Sequence, residues 1–169
     1  MPVYRDDWVK LLSSDGKTFT VAPDLLRHSI TINTLIENAY EKGEKLKQPI
    51  PLQKCTAEVF QQILVFIQYH RFDPILRNDK ENEDVQISNW DDEFLKSNED
   101  IPISDLLGAA YELKVHRLVD VGCKAMARSL KGASNEQIQR IMSIENAPIS
   151  EEEKKKRLKL ALMPLSGEK

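Results

Sequence analysis

Residues 109–124 read AAYELKVHRLVDVGCK, and this stretch decides how the second half of the chain folds. The pattern predicts a helix from His116 to Leu130 that stops at Gly132, because glycine readily ends helices. Two apolar stripes run along it: one consists of Val119, Cys123, Met126 and Leu130, the other of Leu118, Val121, Gly122 and Ala125. A helix that is apolar on two sides is either fully buried or shared between the core and a partner. Gly122 in mid-helix costs about 1 kcal/mol relative to alanine, which indicates close packing there.

Two further helices are predicted after Gly132. Ser134-Asn135-Glu136-Gln137 and Ser150-Glu151-Glu152-Glu153 both match the capping box, in which a hydroxyl and a carboxylate or amide satisfy free backbone N–H groups. Apolar residues follow both caps: Ile138, Ile141, Met142 and Ile144 after the first, and Leu158, Leu162 and Met163 after the second. Such late helices often form a groove for the helices of a partner, and simple docking onto the domain is the alternative.

The first half of the chain predicts a small sheet with helices. Ser14-Asp15-Gly16 separates two β-prone runs, Val9–Ser13 and Thr18–Val21, as a hairpin turn does. Pro49-Ile50-Pro51-Leu52 indicates a short edge strand, since proline donates no hydrogen bond to a neighbouring strand. Helix N-caps are expected at Ser29, Thr56 and Ser104. The layout is that of an α+β domain with a small sheet at its N-terminal end.

Composition limits the class of protein. The chain has 169 residues, a net charge of −3 and 41% hydrophobic residues, which fits one soluble domain with a helical extension and gives no general attraction to nucleic acid or membrane. Residues 79–100 hold nine acidic side chains against Lys80 and Lys96, and we interpret them as a solvated loop anchored by Trp90, Phe94 and Leu95. Two cysteines, Cys55 and Cys123, are expected to be buried free thiols in a reducing compartment, cytosol or nucleus.

No pattern in the chain indicates catalysis. The three histidines, His28, His70 and His116, are not spaced as metal ligands, either with one another or with a cysteine. The six glycines are scattered singly, so no phosphate-binding loop is predicted, and no serine lies in a nucleophile elbow. We therefore expect a non-enzyme with no cofactor and no catalytic or metal site.

Several segments in this order and spacing resemble one known family. They are Ser13–Gly16, Ser29–Ile32, Pro49–Leu52, Tyr69-His70 with Asp73-Pro74, Trp90–Lys96, Ala109–Lys124 and Lys131–Ile138. Together they resemble the S-phase kinase-associated protein one family, the F-box-binding adaptors of cullin–RING ubiquitin ligases. The resemblance implies a BTB/POZ-type domain over residues 1–130 and a C-terminal helical F-box-binding extension over residues 131–165. It also implies an adaptor that bridges a cullin N-terminal domain to F-box substrate receptors, in cytoplasm and nucleus.

The resemblance also assigns two binding faces by position. The face implied for F-box proteins comprises Leu106, Leu118, Cys123, Met126, Leu130, Ile138, Ile141, Met142, Ile144, Leu162 and Met163. The face implied for the cullin comprises Ile50, Leu52, Tyr111 and Glu112. All members of the first face are apolar, as a buried helix-in-groove interface requires.

The chain departs from the family pattern at two places, which suggests a diverged paralogue. Tyr111-Glu112 stands where the family typically has Asn-Tyr, so a carboxylate occupies a position of cullin contact. Met163 stands near the place of a tryptophan that clamps the F-box, within a Lys- and Leu-rich tail. The alternative function is therefore a homo-oligomeric BTB scaffold, with a homodimer as one form, that retains F-box binding but has weakened cullin binding.

Overall fold

The structure, a computed structural model, describes residues 8–77 and 85–141 together with Glu152 and Lys155, which are both helical and exposed. The side chains of residues 139 and 141 lie outside this description. In chain order the regular elements are β1 (Val9–Leu12), β2 (Thr18–Val21), a 3-10 helix (Leu25–His28), α1 (Ile30–Glu41), β3 (Ile50–Pro51), α2 (Ala57–Tyr69), α3 (Asn89–Ser97), α4 (Ile103–Glu112), α5 (His116–Leu130) and α6 (Asn135–Ile141).

The sheet has three strands in the order β2-β1-β3. β1 and β2 form the predicted antiparallel hairpin, with Val9 opposite Val21, and Gly16 takes a φ of +88° in the turn between them. β3 runs parallel to β1 at the edge of the sheet, and the Leu52 N–H donates to the Leu12 carbonyl at 2.7 Å. The prediction of a hairpin and a short edge strand is thus confirmed.

Two of the three predicted helix caps are present. Ser29 begins α1 and accepts a hydrogen bond from the Ile32 N–H, and Thr56 begins α2 in the same way. The prediction for Ser104 was wrong: α4 begins at Ile103, and Pro102 at the N-cap position makes no side-chain hydrogen bond. A proline there fixes the backbone at the helix start without a hydroxyl, so the cap pattern at Ser104 marked the right region but the wrong residue.

The core lies between the sheet and the helices. α2 provides its centre through Phe60, Ile63, Phe66 and Ile67, all buried, and Phe19 of β2 meets Phe60 edge to face. α4 and α5 contribute further buried side chains, among them Leu106, Ala110, Leu118 and Val121. This arrangement is the predicted α+β fold of the BTB/POZ type.

α3 is fixed to the end of α2 by aromatic and polar contacts. The ring of Trp90 stacks on that of Tyr69 with centroids 3.8 Å apart and planes parallel to within 1°. Phe94 is buried against Phe66, and Leu95 is partly buried against the same core. The predicted anchoring of this acidic region is confirmed, whereas residues 78–84 lie outside the described residues.

The C-terminal part follows the predicted boundaries as far as it is described. α5 spans His116–Leu130, and Gly132 beyond it has a φ of +81°. The capping box of α6 is present, because the Gln137 N–H donates to Ser134 Oγ at 3.3 Å and the Ser134 N–H donates to Gln137 Oε1 at 2.9 Å. The capping box at Ser150 lies outside the described residues, and the division of the chain at residues 130 and 131 stays a prediction.

Candidate protein-binding site

α5 packs one apolar stripe into the core and leaves the other accessible. Leu118 and Val121 are fully buried. A Cβ at Gly122 would lie 2.2 Å from Leu107 Cδ2, so α4 and α5 pack closely there and a larger residue would require Leu107 to shift. On the other side Met126 is half-buried against the core edge and Cys123 is exposed. The helix is therefore not fully buried, and contact of its accessible side with a partner stays a prediction.

Cys123 differs from the sequence-based expectation. Both cysteines are free, but only Cys55 is buried, whereas the Cys123 thiol is exposed. The reason is that both sides of α5 are apolar and only one can face the core; the side that carries Leu118 and Val121 does so. Burial raises the pKa of the Cys55 thiol to about 11, with a smaller contribution from the nearby Asp15 carboxylate.

The residues predicted to face an F-box are divided between the core and the surface. Leu106 and Leu118 are 2% and 0% exposed and hold the fold together. Met126, Leu130 and Ile138 are half-buried and Cys123 is exposed, so these four form the accessible part of this surface, called the α5 face below. The backbone of Ile141 ends α6; its side chain, Met142, Ile144, Leu162 and Met163 all lie outside the described residues. Direct contact of these residues with a partner stays a prediction.

A groove of about 240 Å³ adjoins this region between α3, α4 and α6. Its lining comprises Leu95, Asn98, Glu99, Ile101, Pro102, Ile103, Leu106 and Arg140. The sequence reasoning singled out only Leu106 here as a binding residue. Ile101 and Ile103 flank Pro102 where α4 begins, and an apolar pair around a helix-starting proline is the sequence signal that could have indicated this groove.

The residues predicted to face a cullin are also of two kinds. Ile50 and Leu52 are buried in the domain, whereas the Tyr111 side chain is 72% exposed at the end of α4. Glu112 is exposed as well and pairs with Lys54 across 3.3 Å. Because this carboxylate stays in solvent and has a cationic partner, it bears no desolvation cost in the free protein. Tyr111, Glu112 and Lys54 form a polar and aromatic surface, called the α4 end below.

Hydrogen bonds hold the α4 end in place. Thr31 Oγ1 donates to the Glu112 carbonyl at 2.9 Å, and Ser29 Oγ donates to the Leu113 carbonyl at 2.7 Å. Both donors come from the start of α1, so the last carbonyls of α4, which have no partner within their own helix, are satisfied by another element. The chain then turns through Lys114, with a φ of +52°, into α5. The position of Tyr111 relative to α5 is thereby fixed.

The remaining polar clusters are structural. His70 is buried with Nδ1 2.6 Å from Asp73 Oδ2 and Nε2 2.8 Å from Asp91 Oδ1. Asp91 itself closes the capping box of α3 through Ser88, so this network ties α2 to α3. Among the residues that the structure describes, no group of three or more His, Cys, Asp or Glu side chains is arranged to hold a metal ion. None of the described helices is long and apolar enough to cross a membrane.

Comparison with known proteins agrees with this architecture, a POZ-type α+β domain that continues into helices with an accessible apolar face. The family model described as "Skp1 family, tetramerisation domain" matches residues 7–72, and that described as "Skp1 family, dimerisation domain" matches residues 116–161. A Skp1-related protein of Caenorhabditis elegans is 36% identical over 151 residues, which cover 86% of this chain and 85% of the relative. The chain belongs to the Skp1 family.

Two fungal relatives carry more specific names. The "E3 ubiquitin ligase complex SCF subunit sconC" of Arthroderma benhamiae is 30% identical over 149 residues, covering 86% of this chain and 88% of the relative. The protein of the same name from Arthroderma otae is also 30% identical over 149 residues, covering 86% of this chain and 87% of the relative.

Proposed function

We propose that this chain is a non-enzymatic adaptor subunit of an F-box and cullin E3 ubiquitin ligase complex. Membership of the Skp1 family and the ligase-subunit names of the fungal relatives support this function. The observation that carries it is the presence of two separate accessible faces on the described part of the chain, the α5 face and the α4 end. An adaptor needs two such faces, because it has to hold two partners at once.

The α5 face is the proposed F-box side. An amphipathic helix of a partner would bury Met126, Leu130 and Ile138, which the free domain leaves half-buried, and would cover Cys123. The side chains that follow Ile141 would extend the same interface. A central apolar cluster of this kind is where most of the binding energy of an interface is concentrated.

The α4 end is the proposed cullin side. Tyr111 offers a large aromatic surface, and the Lys54–Glu112 ion pair lies beside it. Both charges would have to be matched or displaced by the cullin surface, since a desolvated charge without a partner is costly. We therefore propose that the cullin domain binds at the α4 end and that the Glu112 carboxylate weakens this binding. A cytoplasmic and nuclear location is proposed with the same function and is tested by imaging a tagged chain.

The experiment that tests the adaptor function is titration calorimetry of the purified chain with a minimal F-box domain and, separately, with a cullin N-terminal domain. We expect both to bind and to form a ternary complex when mixed. Cys123→Asp should weaken F-box binding at least tenfold and leave cullin binding unchanged, because it puts a charge at the centre of the α5 face. Val65→Asp is the matched control, since Val65 is an exposed apolar residue of α2 outside both faces. The absence of binding to either domain would contradict the proposal.

Replacement of Glu112 tests the cullin side specifically. Glu112→Tyr removes the carboxylate and the exposed ion pair, whose contribution to stability is only about 0–1 kcal/mol, and adds aromatic area. We expect several-fold tighter binding of the cullin domain and unchanged F-box binding. Unchanged or weaker cullin affinity would mean that the carboxylate is a favourable contact or lies outside the interface.

The alternative function is a homo-oligomeric scaffold. It is favoured by the exposure of Tyr111, which suits self-contact as well as partner contact, and by a family model whose description names dimerisation. Light scattering of the free chain separates the two functions. A dimer that Tyr111→Ala converts to a monomer, together with no cullin binding, would establish the scaffold instead of the adaptor.

A further inference from the structure

All three histidines of the chain meet at one small cavity. His28 ends the 3-10 helix, His70 follows α2 and His116 begins α5, and all three line a cavity of about 10 Å³ together with Arg117. This volume is about that of one water probe. Three elements that are distant in sequence are therefore joined at a point where the side chains can change charge near neutral pH.

A proton added to His28 would enter a buried site in this cluster. The His28 side chain is buried, and its Nε2 lies 3.3 Å from the Arg71 carbonyl oxygen. A carbonyl only accepts, so the Nε2 atom carries the proton and donates it. Burial lowers the pKa of His28, and the charges of Arg117, His70 and Arg27 lower it further, while the hydrogen bond to Arg71 opposes them.

Three carboxylates near the cluster already contact the His70 ring or an arginine side chain. Asp73 Oδ2 contacts His70 Nδ1 at 2.6 Å and Arg117 Nη1 at 3.8 Å. Asp91 contacts His70 Nε2, and Asp24 pairs with Arg71. A proton added to His28 would therefore meet the charges of Arg117 from α5 and Arg27 from its own helix, and within residues 8–77 and 85–141 each of these three carboxylates already has another partner.

From this geometry we propose that protonation of His28 loosens the junction of the 3-10 helix, α2 and α5, so that acidification releases the start of α5 from the domain. The sign follows from linkage. Once the junction opens, the ring regains its ordinary pKa of about 6.5, while in the closed junction it resists protonation. The open form then binds more protons, and the closed form is lost progressively as the pH falls below 6.5.

Hydrogen exchange tests this proposal on the full chain. Peptides that cover the first turns of α5 and peptides that cover α2 are followed from pH 7.5 to pH 5.5. Each amide exchange rate is divided by the intrinsic exchange rate at the same pH. For a single site the closed form loses up to about tenfold in protection per pH unit. We expect this loss in the α5 peptides and a clearly smaller one in α2. His28→Gln retains an N–H donor for Arg71 but takes up no proton, so its α5 protection should be nearly independent of pH.

Two results would overturn the proposal. One is an equal loss of protection in wild type and His28→Gln; the other is an equal loss in α5 and α2, which would indicate global unfolding. Should His28→Gln not fold, ring proton NMR of the wild-type chain decides instead. A His28 titration midpoint below the ordinary value of 6.5 supports the proposal, and a midpoint at or above it refutes the proposal. His116→Gln is the matched control, because it removes a cavity histidine that is only half-buried.

Discussion

At the scale of single residues, the contact between Gly122 and Leu107 sets the spacing of α4 and α5. A methyl group at Gly122 would lie 2.2 Å and 2.9 Å from the two Leu107 methyl carbons, and Leu107 is itself buried. The unfavourable helix propensity of glycine is thus tolerated because it lets Leu107 fill the gap between the helices. This is the packing role that a glycine in mid-helix indicated.

Gly122→Ala should destabilise the fold in spite of its better helix propensity. Overpacking a core costs about 1–3 kcal/mol, while the gain from alanine is about 1 kcal/mol, so we expect a net loss of up to about 2 kcal/mol in the free energy of unfolding, measured in urea. Gly108→Ala in α4 is the matched control, since its added Cβ meets no atom within 4 Å. That variant should gain about 0.5–1 kcal/mol. A stabilised Gly122→Ala would show that Leu107 moves aside freely.

The two thiols should differ in reactivity. The pKa of Cys55, raised to about 11 by burial, leaves almost no thiolate at neutral pH, whereas Cys123 is accessible. Alkylation followed by mass spectrometry should label Cys123 in the native protein and Cys55 only after unfolding. Cys123→Ser should remain unlabelled. A bound F-box domain should protect Cys123, and rapid labelling within the complex would place the interface elsewhere.

At the scale of elements, α3 is held by the carboxylate of Asp91 as well as by its aromatic contacts. Asp91 Oδ2 accepts from both the backbone N–H and the hydroxyl of Ser88, at 2.9 Å each, and Oδ1 faces His70. Asp91 is only 1% exposed. The same side chain therefore begins the helix and fixes it to α2.

Asp91→Ala should detach α3 from α2. It removes the acceptor of three contacts and leaves the buried His70 ring and the half-buried Ser88 donors without it. An unsatisfied buried donor costs about 1–3 kcal/mol, so the midpoint temperature of thermal unfolding should fall by more than after an ordinary surface substitution. Asp92→Ala, one residue later, removes only a 3.7 Å contact with Arg128 and is the control. It should stay within about 0.5 kcal/mol of wild type. Equal effects of the two changes would contradict this role of Asp91.

At the scale of the whole molecule, Asp15 links the two ends of the BTB/POZ core. Its Oδ1 accepts from Ser13 Oγ at 2.5 Å in the hairpin turn and from the Ala57 N–H at 2.9 Å at the start of α2. These hydrogen bonds, that of Ser13 first, hold the pKa of Asp15 below its ordinary value of 3.8. The sheet and the central helix are thus joined by a charged acceptor.

Acid should weaken this link. Because the pKa of Asp15 is lowered by folding, its contribution to stability is complete above pH 3.8 and is lost as the pH falls through the lower folded value. Urea midpoints between pH 5 and pH 3 should therefore fall less in Asp15→Asn than in wild type. Glu44→Gln, a substitution at an exposed residue in a loop, is the control. Parallel slopes for all three proteins would exclude this role of Asp15.

Local patterns predicted the elements well, and long-range contacts account for the differences. The spacing of apolar residues and the caps at Ser29 and Thr56 are local properties, so the helices appeared in the sequence. The sequence shows two apolar stripes on α5 but not which one faces the core. That choice depends on Leu107, 15 positions before Gly122, and for this reason the prediction that Cys123 is buried was wrong. The Lys54–Glu112 pair and the histidine cavity join residues far apart in the chain, and no local pattern encodes such contacts.

The proline-bounded edge of the sheet has a consequence for how copies of the chain can meet. The Leu52 N–H points toward β1, and successive N–H groups of a strand point to opposite sides. The outward positions on β3 are therefore Pro49 and Pro51, which have no N–H to offer. A strand from a neighbouring molecule finds no donors there, so growth of the sheet into fibrils is blocked at this edge.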